Sequence, residues 1–274
     1  MVLFDSHVHI YNCFDLDIFF TKAFENFQNA GKTLHNEEEK KICFLLLAES
    51  NGYNYFAWLL ALAGDNEAET RRRQWTVTET KEKHSLLVSH EDYSEMSLFV
   101  VAGRQLVTAE RLELLALHTD RKILDGLELD RAVEAVIESG GIAVCPWGAG
   151  KWMGSRGNVL ETALSHDNSA SLFVGDSGGR PLFWPTPGPI KLEKEKKSPI
   201  LSGTDPLPLN GEERRVGSFG GYIAGDQSLD MQQPAASLKA LLLDPVTEVQ
   251  PFGRLQNPLL FIKNQFNLRL ADNK

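Results

Sequence analysis

The sequence predicts an α/β fold: a TIM-like (β/α) barrel, distorted or seven-stranded, occupying residues 1–274 as a single domain with a hairpin insertion near 74–90. Three observations predict it. Apolar runs of strand length alternate with segments of helical periodicity along most of the chain, the pattern of a parallel sheet covered by helices. The 274 residues come close to the roughly 250 that such a barrel takes. No glycine-rich phosphate fingerprint follows the first strand, which leaves a doubly wound open sheet as the runner-up.

The elements follow in order. Val2–Ser6 is a first strand, and Asp15 caps a helix carrying Ile18, Phe19, Ala23 and Phe27 that ends at Gly31. The charged cluster from Glu37 to Lys41 leads into ICFLLLAES, apolar on both faces like a buried parallel strand. NYFAWLLALAG is a short helix stopped by Gly64. QWTVTET and HSLLVSH, separated by Lys81, Glu82 and Lys83, form the inserted hairpin. SLFVVAGRQLVT and LELLALHTD are two further strands, and Asp125 caps the helix LELDRAVEAVIES before Gly140 and Gly141. IAVCPW, LFVGD and PILSGTD are strands, with a short helix over Asn158–Leu164. Gly178–Pro199, with five prolines and a mixed charge run, reads as an exposed loop. The tail carries helices over 235–243 and 255–270. The Leu259, Ile262, Phe266 and Leu270 stripe of the second docks on the barrel or, as the alternative, forms a homo-oligomer contact.

Composition excludes several function classes. Lys and Arg total 28 against 37 Asp and Glu, a net charge of −9 with no basic run. That argues against nucleic acid or an anionic membrane as partner and leaves a small-molecule substrate. The longest nearly apolar stretch, Tyr55–Ala63, is far below the roughly 20 residues of a bilayer span. The N-terminus has no basic segment and places Asp5 and His7 where a signal peptide is apolar. Cys13, Cys43 and Cys145 are odd in number, widely spaced and set in apolar runs. They read as reduced core residues of a cytoplasmic protein, and none has a neighbour that would make it a nucleophile.

Asp5-Ser6-His7-Val8-His9 closes the first strand. Side chains two apart on a strand share a face, so His7 and His9 can present imidazole nitrogens to one divalent metal. Barrel active sites sit at this strand end. The plainer alternative packs one histidine in the core and leaves the other in water. GAGKWMGSRGN offers Lys151 and Arg156 to an anionic group at a helix N-terminus, or is an ordinary glycine-rich loop. Asp176 ends another strand, as a ligand-binding carboxylate or as a turn former. Trp147, Trp152 and Trp184 either line the mouth or pack in core and loops. His84 and His90 face solvent, His118 is a polar loop residue, and His35 and His166 lie in polar surroundings.

FDSHVHIY resembles the opening strand of the metallo-dependent hydrolase superfamily, whose members are TIM-like barrels. Residues 98–147 are similar to the PHP (polymerase and histidinol phosphatase) family. VVAGRQLVTAERLELLALHTD and DGLELDRAVEAVIESGGIAVCPW follow its order of a Gly-x-Glu strand, a His-Leu-Leu-Ala-Leu strand, a helix and Gly-Gly-x-x-Val. SGTDPLP resembles its closing Ser-Asp-Ala-His strand and the Ser/Thr-Asp-x-Pro of amidohydrolases.

The resemblance implies a metal-dependent hydrolase, and the departures reduce the site. Ala48-Glu49-Ser50-Asn51 stands where the family has Asp-His. Gln105 replaces the bridging Glu, Glu113 falls at a His position, Trp147 or Pro146 replaces another His, and Leu207 takes the final one. His7, His9 and Asp205 survive, with Glu49 and Glu113 as substitutes. Gln105 cannot bridge two cations as a carboxylate does, so the expectation is one zinc, manganese or iron ion on His7, His9, Asp205 and Glu113. Asp205 is ligand or catalytic base, while Lys151, Arg156 and Asp176 bind substrate. The reaction is hydrolysis of a phosphoester or amide in a small molecule. The alternative is a catalytically inactive PHP-like barrel that serves as a binding or scaffold protein, its three survivors hydrogen-bonding one another without metal.

Overall fold

The protein is described by a computed structural model covering residues 1–34, 40–64, 73–165, 172–225 and 227–271. His35, His166 and most of the 37–41 charge cluster lie outside the described residues, as does the Leu270 side chain. The strands are β1 (Val2–Val8), β2 (Lys41–Leu47), β3 (Trp75–Glu79), β4 (Ser85–His90), β5 (Met96–Val101) and β6 (Gly103–Val107), then β7 (Glu113–Leu117), β8 (Ile142–Pro146), β9 (Leu172–Gly175), β10 (Phe219–Ile223) and β11 (Gln250–Gly253). The helices are α1 (Leu16–Thr33), α2 (Tyr55–Gly64), α3 (Leu129–Glu138), α4 (Ser155–Ser165), α5 (Gly188–Glu195), α6 (Pro234–Leu243) and α7 (Pro258–Ala271).

The strands form two sheets and no closed barrel, which overturns the TIM-like expectation. One is a seven-stranded mixed sheet, order β11-β10-β1-β2-β5-β4-β3, and the other a four-stranded sheet, order β6-β7-β8-β9. Val2, Phe4, Phe44, Leu46 and Phe99 of the first pack against Leu115, Leu117, Val144 and Phe173 of the second, with Leu238 and Leu242 of α6 joining them. Alternate residues of the same strands serve the outer faces. Leu3, Cys43, Leu45 and Leu98 meet Phe19, Phe20, Phe24 and Phe27 of α1 and Phe56 and Leu59 of α2. Leu114, Ala143 and Val174 meet α3, α4 and α5. Strands apolar on both faces satisfy a helix–sheet–sheet–helix stack as well as a barrel covered by helices, so the alternation did not distinguish the two.

The reason closure fails lies in strands that exchange partners. β1 pairs with antiparallel β10 through Val2–Phe4, then the Ser6 N–H donates to the Ser202 carbonyl at 3.1 Å. β2 pairs with β5 through Leu46, then the Glu49 N–H turns to the Gly103 carbonyl at 3.1 Å. Single bridges (Glu49 to Arg104, Val174 to Ile200, Ser177 to Gly203) link the sheets at this end in place of continuous ladders. The run SLFVVAGRQLVT is therefore two strands in two sheets. Its break is Gly103, where a Cβ would lie 2.1 Å from the Leu47 carbonyl oxygen, so only glycine lets the chain cross.

The hairpin stands, with β3 against β4 from Trp75–His90 to Glu79–Leu86. Asp15 caps α1, its Oδ1 accepting from the Asp17 and Ile18 N–H groups. Asp125 does not cap α3, which starts at Leu129; its carboxylate takes the Val107 N–H at 2.9 Å. PILSGTD makes only single bridges, and α5 forms inside the expected loop behind Pro187. β10 and β11 had no expectation. Leu259, Ile262 and Phe266 of α7 are exposed while Asn264 is buried, donating to Glu212 at 3.0 Å; the apolar stripe does not dock on the domain. Cys13 is exposed, contrary to a core role, whereas Cys43 and Cys145 are buried. Among the described residues no helix is long and apolar enough to cross a membrane.

Candidate metal centre

β1 carries buried Asp5, His7 and, one residue past its end, His9. The β1–β2 register shifts between Asp5 and Val8, the kind of irregularity that re-aims side chains at a strand end. Both imidazoles turn inward, His7 and His9 each 3% exposed, and their Nε2 atoms are 2.9 Å apart. Asp205 comes from the far side of the chain. Its Oδ1 lies 3.5 Å from His7 Nε2 and 3.7 Å from His9 Nε2. The Gln105 carbonyl oxygen lies 3.2 Å from His7 Nε2. A divalent ion with bonds of about 2.0–2.2 Å sets its ligand atoms at about 3–3.7 Å from one another, so the spacing suits one ion. His7, His9 and Asp205 are the group of ligand-type side chains that converges among the described residues.

The local build explains the placement. Asp5, fully buried, accepts from the Thr204 N–H at 2.8 Å, the Thr204 hydroxyl at 2.6 Å and the Gly217 N–H at 3.0 Å. It thereby pins the 203–205 segment beside β1. Gly203 permits that approach, since a Cβ there would stand 2.3 Å from the His7 nitrogen. Asp205 then adopts φ +49, a left-handed conformation that Asp tolerates better than most residues. Ser177 Oγ donates to Asp205 Oδ2 at 3.2 Å, which leaves Oδ1 facing the rings.

Burial, followed by the neighbouring His7, pushes His9 down to about 3. The ring is neutral at ordinary pH and also bonds to the Ala48 backbone, the outer-shell arrangement that frees the other nitrogen as a ligand. His7 lacks that support, because its Nδ1 is buried with no hydrogen-bond partner. Tyr11 continues the alternation of His7 and His9 and stacks on His9 at 5.4 Å and 25°. Burial, then the Asp205 charge, raises its hydroxyl well above the usual range, so it stays a phenol.

The other expected residues are committed elsewhere. Glu113 pairs with Lys151 at 3.0 Å and stands outside the converging group. Glu49 accepts the N–H groups of Tyr55 and, at 3.1 Å, Phe56, and faces Arg104 at 3.4 Å, so it caps α2. Arg156 donates to the Gly150 carbonyl at 2.7 Å, folding the glycine loop on itself. Asp176 forms a two-pronged pair with Arg180 at 2.8 and 2.7 Å. Trp147 is buried and meets Trp184 edge-on at 5.6 Å. His90 is buried, accepting the Asp92 N–H, and His84 contacts Asp120 at 3.2 Å; neither faces solvent freely. His118 takes φ +60 and meets the His84 ring at 5.4 Å. Sequence reasoning gave no role to Asp5, Ser177 or Tyr11; Asp5 and Tyr11 left a signal, as the flanking members of a period-two row with His7 and His9, and Ser177 left none.

No family model matches the sequence, and no curated protein matches it. Among solved structures, the chain is similar to one described as the crystal structure of PsfC from Pseudomonas syringae PB-5123. The TM-score is 0.53 at 12% identity, covering 98% of each chain. At that identity the likeness is one of fold alone.

Proposed function

We propose that the protein is a hydrolase using a single divalent metal, acting on a phosphoester or amide in a small molecule. The observation that carries this reading is the convergence of His7 Nε2, His9 Nε2 and Asp205 Oδ1 beside the Gln105 carbonyl. Four lone-pair atoms gathered in a largely buried site repel one another unless a cation or shared protons lie between them. Two imidazoles and a carboxylate leave positions open, as in hydrolytic centres. His7, His9 and Asp205 would hold a zinc, manganese or iron ion, which would supply Lewis acidity and lower the pKa of a water there. His9 holds its lone pair toward the site because burial keeps the ring neutral. Asp205, its Oδ2 held by Ser177, serves as a ligand of that ion or as the base that orients the attacking water. The resemblance of FDSHVHIY to metallo-dependent hydrolases supports the same reading. Unpaired cysteines fit a cytoplasmic setting.

The second reading, an inactive PHP-like binding or scaffold protein, draws on the commitment of Glu49 and Glu113 to other partners. Elemental analysis of protein purified without chelator decides between them, together with a phosphoester and amide panel. One metal per chain and turnover, both lost in His9→Ala, is the expected result. Absence of metal with no turnover establishes the second reading, and full activity in His9→Ala removes the first.

A further inference from the structure

A cavity of about 650 Å³ is lined by Glu49, the Ser50–Asn54 turn, Arg104, Gln105 and the 122–125 segment. That size accommodates a small ligand. Two of its residues connect the cavity to the imidazole pair. Gln105 sets its side-chain carbonyl oxygen 3.2 Å from His7 Nε2 and is itself a lining residue of the cavity. Tyr53 meets Tyr11 edge-on at 5.4 Å, and Tyr11 stacks on His9.

Two of the four charged residues lining this cavity, Glu49 and Arg104, are spent on each other. Arg104 faces Glu49 at 3.4 Å, and donates to the Tyr53 carbonyl at 2.9 Å and to Asn54 Oδ1 at 3.3 Å. Asp125 accepts the Val107 N–H, and Lys122 stands exposed at the rim. A phosphate or carboxylate seated on Arg104 would therefore have to break an existing pair. Besides the exposed Lys122 and Asp125, the polar lining that remains is neutral: Ser50, Asn51, Tyr53, Asn54 and Gln105. Hydroxyl groups donate and accept at once and so match mixed amide and hydroxyl walls. The C–H face of a saturated ring packs on an aromatic side chain.

We propose that this cavity is a subsite for an uncharged, hydroxyl-rich ring, a glycosyl-type group, carried by the substrate of the adjoining centre. The substrate assignment rests on the hydrolase reading; the binding does not. The test is saturation-transfer NMR on full-length, metal-loaded protein with methyl α-D-glucoside, mannoside and galactoside, and with acetate as an anionic probe. The expected result is transfer to the ring C–H protons of at least one glycoside. Tyr53→Ala weakens that binding about three- to tenfold, and Asn51→Ala, on the exposed turn, weakens it measurably with an unchanged melting temperature. No transfer to any glycoside, transfer indifferent to both substitutions, or acetate binding that depends on Tyr53 while the glycosides stay silent would overturn it. Turnover of simple phosphoesters without glycoside binding removes the subsite alone. Glycoside binding without turnover removes the hydrolase reading and leaves the subsite standing.

Discussion

The Asp205 backbone N–H donates to the His7 carbonyl at 2.9 Å, so the residues that supply the carboxylate and one imidazole are joined through their main chains. The link explains how a residue 198 positions away is held against β1 without belonging to a ladder. It also separates the backbone role of Asp205 from the ligand role proposed for its carboxylate. Asn tolerates the left-handed conformation nearly as well as Asp, so Asp205→Asn keeps the fold and removes the anionic donor. Metal affinity falls by more than the roughly 10–100-fold that loss of an outer-shell partner costs, while the melting temperature of chelated protein hardly moves. Asp205→Ala loses the same affinity and about 1 kcal/mol of stability besides, from φ +49. Unchanged metal binding in Asp205→Asn would take the carboxylate out of the centre.

Glu49 and Glu113 were expected as substitute ligands, and their geometry assigns them other work. Glu113→Gln weakens the pair with Lys151, a partly exposed contact worth up to about 1 kcal/mol, and leaves metal stoichiometry at the wild-type value. Glu49→Ala removes the acceptor at the start of α2 and exposes Arg104 to the loss of its partner. A cost of about 2 kcal/mol follows, again with metal retained. Urea unfolding and elemental analysis on the two variants read both quantities. Loss of metal in Glu113→Gln with intact folding would restore that residue to the ligand set.

The legible parts of this chain were those governed by local rules. Asp15 announced the start of α1, and the period-two spacing of His7 and His9 announced a shared face. Charge at Lys81–Lys83 between two strand-like runs marked the hairpin. What stayed hidden was set by long-range partner exchange. Nothing near Ala102 shows that the next residue belongs to another sheet, because the steric demand on Gly103 comes from the Leu47 carbonyl. β10 contains Gly220 and Gly221, weak strand formers by composition. They fit because the Phe4 carbonyl and ring occupy the space of their side chains. Committed carboxylates were equally unreadable, since Arg180 for Asp176 and Lys151 for Glu113 are partners that folding chooses.

Asp5 makes stability depend on pH in a direction opposite to that of a salt-bridged carboxylate. Burial pushes its pKa up from 3.8 to about 6, against the opposing hydrogen bonds from Thr204 and Gly217. With the folded value above the unfolded one, the native state binds more protons between about pH 4 and 6, and stability from this group falls as pH rises through that window. A shift of this size corresponds to about 3 kcal/mol. Asp5→Asn cannot ionise, so relative to wild type it gains stability from pH 4 to pH 7. Urea titrations of chelated wild type and variant at the two pH values give the difference directly. A constant difference, or one that moves the other way, would mean that the donors around Asp5 hold it ionised throughout.

Thiol chemistry tests the sheet core independently of any ligand. Cys43 sits in β2 between Leu3 and Leu98, and burial raises its thiol far above the usual range. Cys145 pairs with Val174, and burial pushes it up to about 12. At pH 8 such a thiol is ionised to about one part in ten thousand, and it is the thiolate that reacts. Cys13, though also raised by partial burial, lies on the surface. An aromatic disulfide reagent added to native protein therefore titrates one thiol per chain rapidly and the other two only after unfolding. Ile42→Ala, next to Cys43 in β2, accelerates the Cys43 reaction if local opening of the strand limits it. Three fast thiols in the native protein would contradict the packing of both sheets.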